Sequence, residues 1–331
     1  MKKRATALIW IIILAAILAS FGSRAIVRFS GLETKPVREW TIAETNREYP
    51  IIAMGSSFTF FGIDFKNLAH ETGSPVVCRS AASASPSELE HIIPDLPNPK
   101  LTIIGVSVYD LNEQILGDFR ADIVPIRQAI SDLHSCGADW YFVKKVVGQY
   151  PVCYIRKVFP AAGRSTAVMS ALRDQAINLM KRAKGEPVPQ HLSVDTHYTT
   201  PHPESLENWA PSRLVTAIAA LNVASNGKQE FLGPKHLAFN RMLHKCHGKI
   251  LVVVLPVSPP YKKEFIGEEV AKSFEASLDL VAKQAPDAEW LRLDRRQEFE
   301  NKKVFWDTGH MNDDGQKIAT SIVLEKIKSS K

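Results

Sequence analysis

Short, unbroken apolar runs alternate along this chain with stretches of helical spacing. The runs are Pro50-Ile51-Ile52-Ala53-Met54, which stops at Gly55, then Pro75-Val76-Val77-Cys78, then Leu101-Thr102-Ile103-Ile104-Gly105-Val106 after the breaker PDLPNPK. Lys249 to Leu255 (KILVVVL) is the longest and ends at Pro256, and Trp290-Leu291-Arg292-Leu293 is a weaker fifth. Runs of this length between Gly and Pro read as strands. Continuous rather than alternating apolarity means burial on both faces, which is the mark of a parallel sheet covered by helices. Helical spacing follows in Ser85-Pro86-Ser87-Glu88-Leu89, a capped start, in residues 263–284 (Phe265, Val270, Phe274, Leu278, Val281), and in Gly315 to Lys328 (Ile318, Ile322, Leu324). The alternation predicts an α/β fold: three layers, α/β/α, around a mostly parallel sheet.

Residues 114–240 break the alternation. Helical patterns run from Ile123 to Leu133, Thr166 to Ala183 and Arg213 to Ser225, and a loop rich in Pro, His and Thr runs from Glu186 to Pro211. This segment reads as a large helical insertion above the sheet, of the kind that shapes a substrate pocket. Residues 29–48 are polar with charges of both signs and read as a tether, which leaves residues 49–331 as one domain carrying the insertion.

The first 28 residues differ from everything after them. Lys2-Lys3-Arg4 precedes an uncharged, almost wholly apolar run from Ala5 to Gly22. About 20 apolar residues span a bilayer, and a basic cluster stays on the cytoplasmic side. Residues 1–28 are therefore expected to be a single-pass anchor, N-terminus cytoplasmic, with the body outside. The competing reading is a cleaved signal peptide, for which Ser20-Phe21-Gly22 and Ser23-Arg24-Ala25 are poor cleavage sites. No cysteine ends the run, which argues against a lipoprotein. Both readings place the body outside the cytoplasm.

Charge supports this division. The chain of 331 residues has 41 basic and 35 acidic residues, a net charge of +6. Lys2, Lys3, Arg4, Arg24 and Arg28 account for five of those six charges, so the body is nearly neutral and a nucleic-acid partner loses its main support. The 4 cysteines, Cys78, Cys136, Cys153 and Cys246, allow three disulfide pairings in an exported chain, or four free thiols held in a core.

Two short motifs carry candidate chemistry. Gly55-Ser56-Ser57-Phe58-Thr59 follows the first strand, where a sharp strand-to-helix turn can present a serine hydroxyl and its own N–H to a carbonyl. Asp307-Thr308-Gly309-His310-Met311-Asn312 precedes the last helix. An Asp and a His three apart can sit side by side, the carboxylate holding Nδ1–H and leaving Nε2 as a base. Each motif alone is also an ordinary turn, with Asp307 capping and His310 packing on Trp306.

Taken together, the serine after the first strand and Asp-x-x-His before the last helix resemble the SGNH/GDSL hydrolase superfamily. The likeness covers about residues 50–113 and 249–328, and VFWDTGHMNDDGQKIA is the most similar stretch. It implies an SGNH/flavodoxin-like arrangement with Ser57 as nucleophile, His310 as base and Asp307 as its orienting acid, and with no cofactor or metal. The family's oxyanion hole takes a glycine N–H and an asparagine side chain. Here no glycine occurs in Arg79–Ser85, so Ala84 is the counterpart, and Gly105-Val106-Ser107-Val108 replaces the second motif, leaving Ser107 or Asn112 as donor. The chain also looks like the membrane-anchored proteins that handle acyl groups on envelope polymers, such as D-alanine transfer proteins of teichoic acid assembly. The resemblance implies a serine esterase or O-acyltransferase acting on ester-linked acyl groups of envelope glycans or lipids. Its rival is an inactive SGNH-like module that binds an envelope glycan or a partner protein.

Other residues are weaker candidates. His244-Lys245-Cys246-His247 has no common zinc spacing. His191, His197 and His202 share the long loop with Asp195; they read first as an ordinary exposed loop and second as substrate contacts. Asp313-Asp314-Gly315 reads as the cap of the last helix rather than a calcium loop. Phe58, Phe60 and Phe61 are expected to pack the first helix on the sheet.

Overall fold

The structure is a computed structural model that describes residues 2–30, 40–41, 50–80, 84–91, 99–113, 124–159, individual positions between 169 and 184, 203–225 and 230–329. Its first element is a helix of 29 residues, α1 (Lys2–Ser30). Side chains within α1 are described at residues 10, 11 and 13–26. Among the described residues no helix is long and apolar enough to cross a membrane.

The sheet is built from β1 (Trp40–Thr41), β2 (Ile51–Gly55), β3 (Val76–Ser80), β4 (Leu101–Ser107), β5 (Lys249–Leu255) and β6 (Ala288–Arg292), in the order β1-β3-β2-β4-β5-β6. The five strands from β3 to β6 are parallel. β1 joins the edge antiparallel, with Trp40 opposite Ser80, so the segment expected to be only a tether contributes an edge strand. The apolar runs behave as their composition dictates: β2 is buried along its whole length, and β4 and β5 expose only their first residues. The fold is the three-layer α/β/α arrangement.

Two groups of helices cover the sheet. α2 (Ser57–Gly62) and α3 (Phe65–Thr72) pack with the last helix, which runs from Asp313 to Ser329. α4 (Pro86–Leu89) packs with the helix Pro234–Lys245, which in turn contacts Ile126–Ser135 and Glu268–Gln284. The last helix of the expected insertion therefore belongs to the sheet's own covering layer: Pro234–Lys245 is the crossover into β5, and Phe239 and Met242 are core residues. Its sequence is cut by Lys235, His236 and Arg241, which hid its apolar face.

The chain forms two compact units. One is Met1–Pro36 with Asp139–Leu192; the other is Val37–Ala138 with Ser193–Lys331. Of the expected insertion, residues 139–192 belong to the first unit and the rest to the second. The first insertion helix is Ile126–Ser135, beginning after Pro125 rather than at Ile123. Trp140–Val147 and Gln149–Val158 are helices without a sequence signal strong enough to be read beforehand. Much of Thr166 to Ala183 and most of Glu186 to Pro211 lie outside the described residues, but Leu206 in the latter is buried and its N–H bonds Phe305 O at 2.6 Å. All four cysteines are free; Cys78 is buried, and its burial pushes the thiol up to about 12 despite a hydrogen bond with Ser80.

The strand order has a consequence for function. From β2 the chain steps to β3 on one side and to β4 on the other, and the carboxyl ends of strands flanking such a reversal form a crevice. Gly55 ends β2 there and Gly105 lies near the end of β4, with Thr59 wedged against both. A Cβ on Gly105 falls 2.2 Å from Thr59 Oγ1, and one on Gly55 falls 1.8 Å from it and 2.7 Å from Gly105 O. Overfilling a packed site costs about 1–3 kcal/mol. Gly105→Ala is therefore expected to lower Tm by about 2–10 °C in a thermal melt. The added change Thr59→Ala restores part of that loss, whereas Gly267→Ala, with open space at its Cβ, shifts Tm little.

Candidate active site

Three groups predicted to act together are in hydrogen-bond contact. Ser57 opens α2, directly after the β2 terminus. Ser56 caps the helix in extended conformation: its Oγ accepts from Phe58 N at 3.1 Å, and its carbonyl accepts from Thr59 N and Phe60 N. The turn thereby fixes Ser57 at the carboxyl edge of the sheet. His310 Nε2 lies 2.8 Å from Ser57 Oγ, across 253 positions of sequence. His310 Nδ1 lies 2.8 Å from Asp307 Oδ2. An ionised carboxylate has no proton to give, so Nδ1–H donates to Asp307 and Nε2 is free to accept the serine proton.

The Asp307 carboxylate also organises its own loop. Its Oδ1 accepts from Gly309 N at 2.7 Å and His310 N at 2.6 Å. Burial raises its affinity for a proton, but the His310 charge and the hydrogen bonds from His310 and Gly309 outweigh that and hold the carboxyl below its ordinary value. The loop closes on itself through Trp306 N to His310 O and the bridge between Phe305 and Met311. Ser258 Oγ, just past β5, donates to Thr308 O at 2.6 Å and ties the loop to the sheet. Asn312 Oδ1 accepts from Gly315 N, so Asn312, rather than Asp313, caps the last helix.

Aromatic rings enclose the imidazole. Trp306 stacks at 5.6 Å between centroids, Phe58 lies at 4.8 Å, and Phe61 meets it edge-on at 5.1 Å. Phe58 and Phe61 thus serve the imidazole as well as the packing of α2, while Phe60 packs on Phe65 and Phe61. A Cβ on Gly309 would lie 2.9 Å from Phe58 Cζ, so only glycine lets that ring close over the loop.

The expected oxyanion donors have other engagements. Ser107 is fully buried and caps α5 (Val108–Leu111): its Oγ accepts from Asp110 N at 3.2 Å and donates to Asp110 Oδ2 at 2.9 Å. Asn112 is fully buried; its Oδ1 accepts from Glu230 N and its carbonyl accepts from Lys235 Nζ at 2.7 Å. Ala84 is buried beside Ser56, Gly105 and Asp110 around a void of about 10 Å³, room for a single water. Of the weaker candidates, His244 and His247 are exposed at and beyond the end of Pro234–Lys245. His191, Asp195, His197 and His202 lie outside the described residues.

Asp110 is the residue that sequence reasoning missed. Burial raises its proton affinity; hydrogen bonds from Ser56 and Ser107 and the Lys235 charge oppose this, and the net shift is upward. Asp110 Oδ2 also accepts from Ser107 N at 2.8 Å. One carboxylate thus joins the serine turn after β2 to the turn after β4. The Ser-x-x-Asp spacing directly after a strand was its visible signal. Glu113, three residues on, accepts N–H bonds from Gly233, Lys235 and His236 at the start of Pro234–Lys245. Burial still dominates and pushes Glu113 to about 7.

Two outcomes follow. Asp110→Ala leaves Ser56 and Ser107 without their acceptor and is expected to destabilise by about 1–3 kcal/mol in denaturant melts. For Glu113 the native state holds a proton that the unfolded chain has released between pH 4.5 and about 7, so its contribution to stability falls as pH rises through that window. The Tm difference between Glu113→Gln and the unaltered protein is expected to shift in favour of the variant from pH 4.5 to pH 8.

No protein-family model matches this chain, and no curated protein matches it significantly.

Proposed function

We propose that this chain is a membrane-tethered, extracytoplasmic serine esterase or O-acyltransferase of SGNH type, acting on ester-linked acyl groups of envelope glycans or lipids. The observation that carries the reading is the continuous hydrogen-bond chain Asp307–His310–Ser57, with both links at 2.8 Å.

In this reaction Ser57 Oγ attacks the ester carbonyl and its proton passes to His310 Nε2. The carbonyl π pair moves to oxygen, and the N–H groups of Ser57 and Ala84 are the donors that meet the resulting charge. Collapse breaks the carbon–oxygen bond of the ester, and His310 returns the proton to the leaving alcohol. An acyl-Ser57 ester remains. Water or a sugar hydroxyl then gives its proton to His310, attacks the acyl carbon and releases Ser57, which takes the proton back. Asp307 stabilises the imidazolium at both stages. Atoms and charge balance among these three side chains, the ester and the acceptor, so the reaction calls for no cofactor or metal. Support for the tether is the Lys2-Lys3-Arg4 cluster followed by the uncharged run to Gly22, and the exposure of Trp10, Ile11, Leu14, Leu18 and Phe21 on α1. Its outward placement follows from the basic cluster at its front.

One observation favours a second reading. The Ser107 hydroxyl and the Asn112 side-chain carbonyl are both engaged inside the fold, which suits a non-catalytic module that binds an envelope glycan or a partner protein. A fluorophosphonate probe separates the two. The esterase is expected to label on Ser57, to lose labelling in Ser57→Ala, and to label on the order of 10⁴-fold more slowly in Asp307→Asn, where the imidazole takes the wrong tautomer. Equal labelling of the unaltered protein and Ser57→Ala selects the binding module.

A further inference from the structure

Met1–Pro36 and Asp139–Leu192 form one compact unit, so the helix read as the anchor shares that unit with the helices Trp140–Val147 and Gln149–Val158. These two short helices bury little. Phe142, Val146 and Tyr150 face inward. Against them, Trp140 is 77% exposed and Tyr141 is 64% exposed, at the first turn of the first helix. On the second helix, Val152, Tyr154, Ile155 and Val158 are exposed. At 100° per residue these four positions fall on one side of the helix, so the exposed surface is an apolar face rather than scattered residues. Lys144 and Lys145 stand in the last turn of the first helix, with Lys144 exposed. An exposed stripe of Trp, Tyr and aliphatic side chains beside lysines is the composition of an element that lies in a membrane interface.

A single contact sets the depth of this face. Ser20 Oγ of α1 donates to Val158 O at 2.6 Å. Ser20 stands two residues before Gly22, where the uncharged run ends, which is about 3 Å along a helix. If α1 crosses the bilayer from Lys2-Lys3-Arg4 inward, Ser20 lies at the far boundary of the hydrocarbon. The end of Gln149–Val158 is then held at that same boundary, and its apolar side chains have no aqueous place to go.

We propose that the helix pair Trp140–Val158 is an interfacial element that lies in the outer surface of the bilayer, with Trp140, Tyr141, Tyr154, Ile155 and Val158 inserted among lipid headgroups and upper acyl chains. The proposal rests on the anchor reading of α1 and adds a second, in-plane membrane contact to it. Its partner is the lipid bilayer itself. The element fixes how the unit Met1–Pro36 with Asp139–Leu192 is oriented on the membrane, which a lone spanning helix, free to rotate about its axis, does not do.

The full-length protein, reconstituted into phosphatidylcholine vesicles with and without brominated acyl chains, tests this. The contribution of Trp140 is the difference in emission between the unaltered protein and Trp140→Phe, and that of Trp10 is the difference from Trp10→Phe. The expected result is that brominated lipid lowers both contributions, that of Trp140 by about twofold. Quenching of Trp10 without quenching of Trp140 overturns the proposal and leaves the anchor standing. Quenching of neither removes the anchor and the proposal together. A second copy of the chain seated on this face gives an unquenched Trp140 together with a doubled mass in detergent, and that outcome also overturns the proposal.

Discussion

The Asp307 carboxylate is the group on which the candidate site depends. It accepts two backbone N–H groups with one oxygen and the imidazole with the other, so a single ionised side chain shapes the loop and aims His310. Burial normally costs a carboxylate its charge, yet this half-buried one is held below its ordinary value because the His310 charge and the hydrogen bonds from His310 and Gly309 outweigh that cost. The serine contributes no comparable anchoring of its own. It is placed by the turn that ends β2, and the two halves meet because the fold brings the end of β2 and the loop before the last helix together.

That edge is crowded with buried carboxyl groups. Asp110 and Glu113 both stand just beyond β4, each pushed upward by burial and each relieved by N–H donors. Their arrangement shows what local physics makes of the turn after β4. Where the resemblance expects an asparagine reaching toward substrate, the chain places Ser107 and Asp110 in a reciprocal cap, and Asn112 fastens the 230–235 segment to the core. The cap joins the turn after β4 to Ser56, and so to the nucleophile's turn.

The α/β core was legible because its strands are unbroken apolar runs, and a run such as Lys249–Leu255 has few alternatives. Ser57, Asp307 and His310 were legible as candidates only from the pairing of two motifs, one after a strand and one before the last helix, since each alone reads as an ordinary turn. Ser107 and Asn112 carry a physical ambiguity: a hydroxyl or amide near a strand end serves a cap as readily as a substrate, and spacing alone does not say which. Asp110 was visible as the fourth residue of Ser-x-x-Asp, a spacing that does not by itself separate a cap from a bond to a second turn. Pro234–Lys245 was hidden because Lys235, His236 and Arg241 interrupt its stripe, while their side chains are satisfied by Asn112 O, by Ser277, and by Glu90 with Asp132. Polar residues paired with polar groups distant in sequence mimic a surface helix.

The loop that carries His310 is pinned at many points: by Asp307 from within, by the Phe305–Met311 bridge at its base, by Ser258 from below and by rings on its flanks. An imidazole so confined cannot swing aside. Its alignment with Ser57 is therefore settled when the chain folds, and the entropy of orienting the two groups is spent at that stage rather than at any later encounter.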